Sequence, residues 1–168
     1  MQRFVYQQKK PIPIYASAHV FACFQREHSY LFADTPRQVA SHFERHCIES
    51  AIFEVEGLPV VPIRVYHNTL PILGFRIGDV TYITDAKSIP KKEVAKIRGT
   101  TVLIVNALQK EPKPAHFSLG EAIAFAQQVN AKVTYLTHIG HHLGLHQEVS
   151  KELPRNIHLA YDGLQVSL

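Results

Sequence analysis

The sequence contains no tryptophan, and cysteine occurs only twice among its 168 residues, as Cys23 and Cys47. Two cysteines without metal-type spacing exclude a disulfide framework and a cysteine-based zinc finger, so we expect two reduced, buried thiols in a cytoplasmic protein. No apolar run approaches the ~20 residues of a membrane helix, and the first residues lack the apolar segment of a secretory signal, so no membrane partner is expected. The net charge of +4 is spread along the chain without a dense basic block, which argues against a nucleic-acid-binding arm.

What is present is a globular composition, with 46% apolar and 19% charged residues. This size and composition predict a single domain over residues 1–168. The first third of the chain is predicted to contain a strand over 12–16, a helix from Ser17 to about Phe32 and a second helix capped by Thr35. The middle is predicted to contain strands that break at Gly57, a hairpin turning at Gly78-Asp79, a helix from Ser88 as its cap to Gly99, and a buried strand TTVLIVNAL. The last third is predicted to contain a helix opened by a Ser118–Glu121 capping box, a strand KVTYLTH, a helix HQEVSKEL and a strand pair around Asp162-Gly163. Their order indicates an α/β layered fold.

Candidate metal ligands follow three of the predicted strands. Residues 80–85 read VTYITD and residues 133–138 read VTYLTH, so two strand-like runs end in Thr followed by Asp85 or His138, and a third run, VPIRVYH, ends in His67. Imidazole and carboxylate both bind divalent metals, and strand ends present ligands to a crevice at the edge of an α/β sheet. The pattern predicts a metal site, against the alternative that all three are ordinary loop residues.

Further histidines, among the eleven in the chain, flank this pattern. His138 and His142 have the spacing that places two imidazoles on one helix face, but Gly140 argues against a regular helix, so we expect a His-rich turn that contributes one ligand. His116 precedes the predicted capping box, near a helix N-terminus where an anion is favoured. A histidine there donates to a phosphate oxygen or protonates a leaving group, or else is a polar loop residue.

The segments HNTLPILGFRIGDVTYITDAKSIP, HFSLGEAIAFAQQ and VTYLTHIGHHLGLHQEVSKELPRNIHLAYDGLQV occur in that order. They resemble the later motifs of the metallo-β-lactamase superfamily, in particular its phosphoribosyl cyclic phosphodiesterase-like hydrolases. The resemblance implies an αββα four-layer sandwich, of which this chain is the C-terminal part. It also implies that His67, a bridging Asp85 and His138 are three of seven ligands to two ions, Zn²⁺ or Mn²⁺, and that Asp85 and His116 are catalytic. The implied reaction is hydrolysis of a small (cyclic) phosphodiester by a metal-activated water, with His116 assisting the leaving group.

The chain departs from that family because it contains no H-x-H-x-D-H motif, which supplies the other four ligands. It looks like a family member cut just after this motif, so we expect weak or no activity from this chain alone. An apolar sheet face left exposed would favour a homo-oligomer. Two alternatives to the phosphodiesterase stay open. One is a tRNA 3′-processing-type endonuclease, which would bring nucleic acid back as a partner, and the other is a catalytically inactive binding or structural module.

Overall fold

The computed structural model describes residues 7–28 and 43–167. The chain divides into two compact units, residues 1–51 and 52–168, with a sheet in each. The expectation of one domain over residues 1–168 stays a prediction. In the described part of the chain, no helix has the length and apolar character needed to cross a membrane.

The first unit contains a pair of parallel strands, β1 (Ile12–Ala16) and β2 (Phe43–Cys47), with helix α1 (Ala18–Glu27) after β1. The strand predicted at 12–16 is therefore confirmed. Both cysteines are free, but Cys47, at the last position of β2, is exposed, whereas Cys23 in α1 is half-buried. The expectation of two buried thiols is wrong, since the last position of β2 exposes Cys47 to solvent and the position of Cys23 on α1 leaves it half-buried.

Helix α1 is shorter than its apolar pattern predicts. Ser17 is the N-cap, and its side chain accepts a hydrogen bond from the backbone N–H three residues further on, as N-cap serines commonly do. The backbone of His28 leaves the helical region, so the helix ends at Glu27 rather than near Phe32. The second helix, predicted after Thr35, lies outside the described residues.

The second unit is built on a seven-stranded sheet. In spatial order, which is also the order in the chain, its strands are β3 (Phe53–Val55), β4 (Leu58–His67), β5 (Leu70–Ile77), β6 (Val80–Ile83), β7 (Val102–Asn106), β8 (Val133–Thr137) and β9 (Ile157–Leu159). Pairing is antiparallel from β3 to β6 and parallel from β6 to β9. Strands β4, β6, β7, β8 and β9 therefore all run in one direction. Their carboxyl ends lie along one side of the sheet, here named the carboxyl edge.

The antiparallel strands are joined where the sequence predicts turns. Glu56 and Gly57 between β3 and β4 both have positive φ, at 50° and 77°, as a tight type I′ hairpin turn requires. Gly78, with φ 53°, opens the turn between β5 and β6. The predicted break at Gly57 and the predicted hairpin at Gly78-Asp79 are both confirmed.

The regular helices of the second unit are α2 (Lys91–Ile97), α3 (Leu119–Val129) and α4 (His146–Glu152), with a short 3₁₀ helix at His141–Leu143. The predicted capping box of α3 is confirmed: the Ser118 hydroxyl accepts from Glu121 N–H, and Ser118 N–H donates to the Glu121 carboxylate. Asn130, with φ 55° and ψ 45°, closes this helix in the left-handed conformation, which asparagine tolerates well.

Two boundary predictions are wrong. Ser88 does not cap α2, because its backbone pairs with Tyr66 of β4 and the chain enters the helix two residues later, at Pro90. The expected strand pair around Asp162-Gly163 is replaced by β9 followed by a turn without a returning strand in residues 160–167. Among the described residues, strand β9 is hydrogen-bonded only to β8, and residues 160–167 do not run back beside it.

The hydrophobic core lies on the face of the sheet covered by α2 and α3. Alternate residues of the strands point into it, and six aliphatic ones are fully buried: Ile63, Val65, Ile83, Leu103, Val105 and Leu136. They pack with side chains such as Ile97 of α2 and Ala122 of α3. Each large aliphatic side chain removed from water contributes about 1.5–3 kcal/mol. This packing fixes the strands whose ends form the carboxyl edge. On strands β5 and β6, the side chains of Ile77 and Tyr82 are exposed.

Candidate metal site

Asp85 and His138 lie at the carboxyl edge because each follows a parallel strand. Asp85 comes two residues after β6, and His138 directly follows β8, with β7 between the two strands. Both have φ 56°, in the left-handed region, which costs a residue with a Cβ about 1–2 kcal/mol. Strained backbone of this kind persists where neighbouring contacts hold it, and it clusters at functional sites.

His67 reaches the same edge because it is the last residue of β4, which runs in the direction of β6. The end of β4 is bound to the segment after Asp85. Tyr66 N–H donates to Ser88 O at 2.9 Å, and Lys87 N–H donates to Tyr66 O at 2.7 Å. The strand ends therefore bring together the three residues predicted as metal ligands.

His116 enters the site from the segment that precedes α3. The next residue, Phe117, donates its backbone N–H to Ala86 O at 2.8 Å. The capping-box residue Glu121 also accepts from Lys87 Nζ at 2.7 Å. Two separate contacts thus connect the His116 segment to the segment that carries Asp85.

The four side chains, His67, Asp85, His116 and His138, form what is here named the His/Asp cluster. His138 Nε2 lies 3.3 Å and His116 Nδ1 3.8 Å from Asp85 Oδ1. The His116 ring lies between the other two imidazoles, with ring centroids 4.7 Å from His67 and 4.8 Å from His138. One carboxylate is thus surrounded by imidazoles at the edge of the sheet.

The side chain of His116 is more buried than those of Asp85 and His138. Its side chain is 15% exposed, against 38% for Asp85 and 37% for His138. Burial, followed by the neighbouring imidazoles of His138 and His67, lowers the pKa of His116 below its ordinary value, and the Asp85 carboxylate opposes this. Among the described residues, the buried Nδ1 of His116 has no hydrogen-bond partner. A buried imidazole nitrogen left in this state suits an incoming ligand or ion.

The cluster has the chemistry of a divalent metal site. Potential ligand atoms of His67, Asp85 and His116 all lie within 4.8 Å of one another, and His138 contacts the same carboxylate. Imidazole nitrogens with one carboxylate oxygen are a usual ligand set for zinc, and catalytic zinc sites have three protein ligands. The residues therefore fit one such ion. That His138 rather than His116 is the third ligand stays a prediction.

The other histidines of the HIGHHLGLH segment lie outside the cluster. His141 and His142 are exposed on the 3₁₀ helix with their ring centroids 3.8 Å apart. His146 begins α4, where its Nδ1 lies 3.4 Å from Ser150 Oγ. A regular helix does not carry His138 and His142 together, in agreement with the expectation from Gly140.

Sequence reasoning missed the contacts that support the cluster. The Lys87–Glu121 ion pair and the hydrogen bonds to Ala86 join segments about 20–34 residues apart in the chain. No local sequence pattern predicts the ion pair or these hydrogen bonds. One available signal was Asn106, a polar residue at the end of the apolar run TTVLIVNAL.

Comparison with known proteins gives a family. The family model described as a beta-lactamase superfamily domain matches residues 1–139. The chain is 32% identical to a protein whose crystal structure is described as a new diphosphatase from the PhnP family, with a TM-score of 0.84. The match covers 92% of this chain and 57% of that one.

Two more distant structures share the fold alone. Zinc-bound PqqB from Methylobacterium extorquens has 17% identity and a TM-score of 0.72, and the match covers 95% of this chain and 66% of that one. The short form of human tRNase Z has 18% identity and a TM-score of 0.65, with 94% and 68% covered.

A curated relative, an octanoyltransferase from Porphyromonas gingivalis, is 31% identical over 158 residues, which are 93% of this chain but 32% of that protein. The chain thus spans about a third of this relative and little more than half of the diphosphatase. This chain belongs to the metallo-β-lactamase superfamily of metal-dependent hydrolases.

Proposed function

We propose that this chain carries part of the active site of a metal-dependent hydrolase that cleaves a P–O bond in a small phosphodiester or diphosphate. The observation that carries the proposal is the convergence of three imidazoles on Asp85 at the carboxyl edge. Membership of a hydrolase superfamily and 32% identity to a diphosphatase support it.

In this proposal His67, Asp85 and His138 bind a divalent ion, Zn²⁺ or Mn²⁺, since nitrogen and oxygen ligands accept both metals. A divalent ion at such a site supplies a Lewis acid that neutralises phosphoryl charge and makes water a nucleophile near neutral pH. Asp85 has a second task, because its carboxylate is the negative charge that faces both His116 and His138. It orients the two imidazoles, and its charge favours the protonated form of His116.

His116 is the proposed proton donor to the leaving group. Water oxygen forms a bond to phosphorus and loses a proton to solvent, the P–O bond to the leaving group breaks, and the leaving oxygen keeps that electron pair and takes a proton from His116. His116 then regains a proton from solvent. The products are a phosphomonoester and an alcohol, or two phosphates from a diphosphate. Burial disfavours the imidazolium of His116, while Asp85 favours it. An anionic phosphoryl group beside the ring adds a second negative charge and favours the protonated donor further.

The alternatives have weaker support. Likeness to human tRNase Z is a likeness of fold, and the net charge of +4 gives no strong basic surface for RNA. Acyl transfer is not proposed, because the match covers only 32% of the octanoyltransferase. A cytoplasmic location and a homo-oligomeric state stay expectations from the sequence.

The test compares substrates that differ in their leaving groups. The metal-loaded chain is assayed with bis(p-nitrophenyl) phosphate, whose weakly basic leaving group needs little protonation, and with a dialkyl phosphodiester and a small diphosphate. We expect His116→Ala to lower kcat about 10²–10⁴-fold on the alkyl ester and much less on the nitrophenyl ester. The matched control is His158→Ala, which removes an exposed imidazole of β9 outside the cluster.

Three results would contradict the proposal. Equal losses on both esters would remove His116 as the donor to the leaving group. Because this chain alone is expected to be weakly active, the assay uses high protein concentration and long incubation, and a metal-binding chain that cleaves neither ester nor diphosphate even then would favour the inactive binding module. Cleavage confined to precursor tRNA would favour the endonuclease.

A further inference from the structure

Asn106 occupies the centre of the carboxyl edge, where β7 ends between β6 and β8. Its side chain is fully buried. The amide forms two hydrogen bonds with the backbone of one residue, Ala86: Oδ1 accepts from Ala86 N–H at 2.8 Å, and Nδ2 donates to Ala86 O at 3.0 Å. Because Ala86 directly follows Asp85, these bonds fix the peptide next to the carboxylate around which the cluster is arranged.

The same Ala86 carbonyl also accepts a hydrogen bond from Phe117 N–H at 2.8 Å. Phe117 directly follows His116, so a single carbonyl group joins the Asp85 segment, the His116 segment and the Asn106 amide. The distance between Asp85 and His116 is therefore determined by backbone contacts that converge on this point.

The two residues after Asn106 bind the remaining segments of the site. Ala107 N–H donates to Thr137 O at 2.9 Å, directly before His138. Leu108 N–H donates to Phe117 O at 3.0 Å, and Leu108 O accepts from Gly140 N–H at 2.8 Å. Backbone groups thus hold the His116 and His138 segments, whereas the β7 end reaches the Asp85 segment through the Asn106 side chain.

An amide suits this position because it offers an acceptor and a donor at once. A carboxylate of the same size accepts from Ala86 N–H but cannot donate to Ala86 O, and an aliphatic side chain does neither. Asp85 has the unfavourable φ of 56°, and the bonds to Ala86 oppose its relaxation.

We propose that Asn106 is a positioning residue that holds the Asp85 carboxylate in the orientation needed to bind metal and sets its distance from His116. Asn106 itself touches neither the metal nor the substrate. The inference rests on the proposed metal site, and it gives the end of β7 the role of ordering that site. Loss of such a supporting hydrogen bond commonly lowers metal affinity 10–100-fold.

The test is a Co²⁺ titration of the full chain, followed by the visible absorption bands of the bound ion. Asn106→Leu keeps the branched shape and the number of heavy atoms in the side chain and removes both hydrogen bonds. We expect it to bind Co²⁺ at least about 10-fold more weakly than the unchanged chain, with altered bands. Thr134→Val on β8 is the matched control, because it replaces another fully buried polar residue that is not hydrogen-bonded to Ala86. It should leave both affinity and bands unchanged.

The outcomes separate this inference from the proposed function. Circular dichroism and cooperative unfolding first establish that each variant is folded, so that weaker binding reports on the site. If the unchanged chain shows no saturable Co²⁺ binding, the proposed metal site and the role of Asn106 both fail. If it binds and folded Asn106→Leu binds equally well with the same bands, only the positioning role fails. If Asn106→Leu does not fold, Asn106→Asp, which keeps the acceptor, decides by the same titration, with weaker binding expected and equal binding overturning the role.

Discussion

Replacing Glu121 by alanine removes two contacts of different kinds. One carboxylate oxygen accepts from Ser118 N–H at 2.8 Å in the capping box, and the group also binds Lys87 Nζ at 2.7 Å. Loss of a capping contact costs about 0.5–2 kcal/mol. An ion pair whose side chains are 23% and 38% exposed is worth about 0.2–1 kcal/mol after solvent screening. We therefore expect Glu121→Ala to lower the free energy of unfolding by about 1–3 kcal/mol in urea denaturation.

Two further variants separate the contributions. Glu121→Gln keeps an acceptor for Ser118 N–H, as capping boxes with glutamine do, and loses only the charge facing Lys87. It should cost no more than about 1 kcal/mol, and Lys87→Met should cost about the same. If Glu121→Ala costs less than about 0.5 kcal/mol, the range of an ordinary surface change, the reasoning is refuted. If Glu121→Gln lowers the free energy of unfolding as much as Glu121→Ala does, the capping contact is not the larger part of the stability lost.

Four other predictions concern stability, each measured by urea denaturation. Since the folded pKa of His116 is below its ordinary 6.5, its contribution to stability is full above pH ~6.5 and is lost as the pH falls through the folded pKa, a loss that His116→Gln should abolish. Lys96 and the Arg64 N–H outweigh burial and lower the pKa of Glu93 below 4.5, so a second loss should begin below that pH and disappear in Glu93→Gln. Gly74→Ala should destabilise by about 1–3 kcal/mol, because an added Cβ lies 2.8 Å from an Ile83 side-chain carbon, and an unchanged midpoint would show that the strands yield. Thr134→Val should leave stability equal or higher, because Thr134 Oγ1 is buried without a hydrogen-bond partner in the described part of the chain, and a clear loss would point to an unseen partner.

The fold was largely predictable where local chemistry decides it. Glycine turns, β-branched runs and the Ser118–Glu121 capping box each impose one local conformation, and the structure contains them. The prediction that Ser88 caps a helix is wrong because the Ser88 backbone pairs with Tyr66. Tyr66 lies 22 positions earlier in the chain, and no local pattern reveals this pairing.

The same division applies to the candidate site. The matching runs VTYITD and VTYLTH placed Asp85 and His138 at strand ends, and parallel pairing through β7 brings those ends together. Sequence offered no sign that both residues adopt positive φ, nor that Asn106 binds the backbone beside Asp85. Such features depend on which strands become neighbours, and only the three-dimensional structure determines that.

The central claim is that His67, Asp85 and His138 together hold a metal ion. Elemental analysis of the purified chain after dialysis against Zn²⁺ and then metal-free buffer tests it most directly, with His67→Ala, His138→Ala and the control His158→Ala measured in parallel. With three protein ligands as in catalytic zinc sites, we predict about one ion per chain for the unchanged protein and the control, and well under half of that for the two cluster variants. An unchanged protein without metal, or cluster variants that retain as much metal as the control, would contradict the claim.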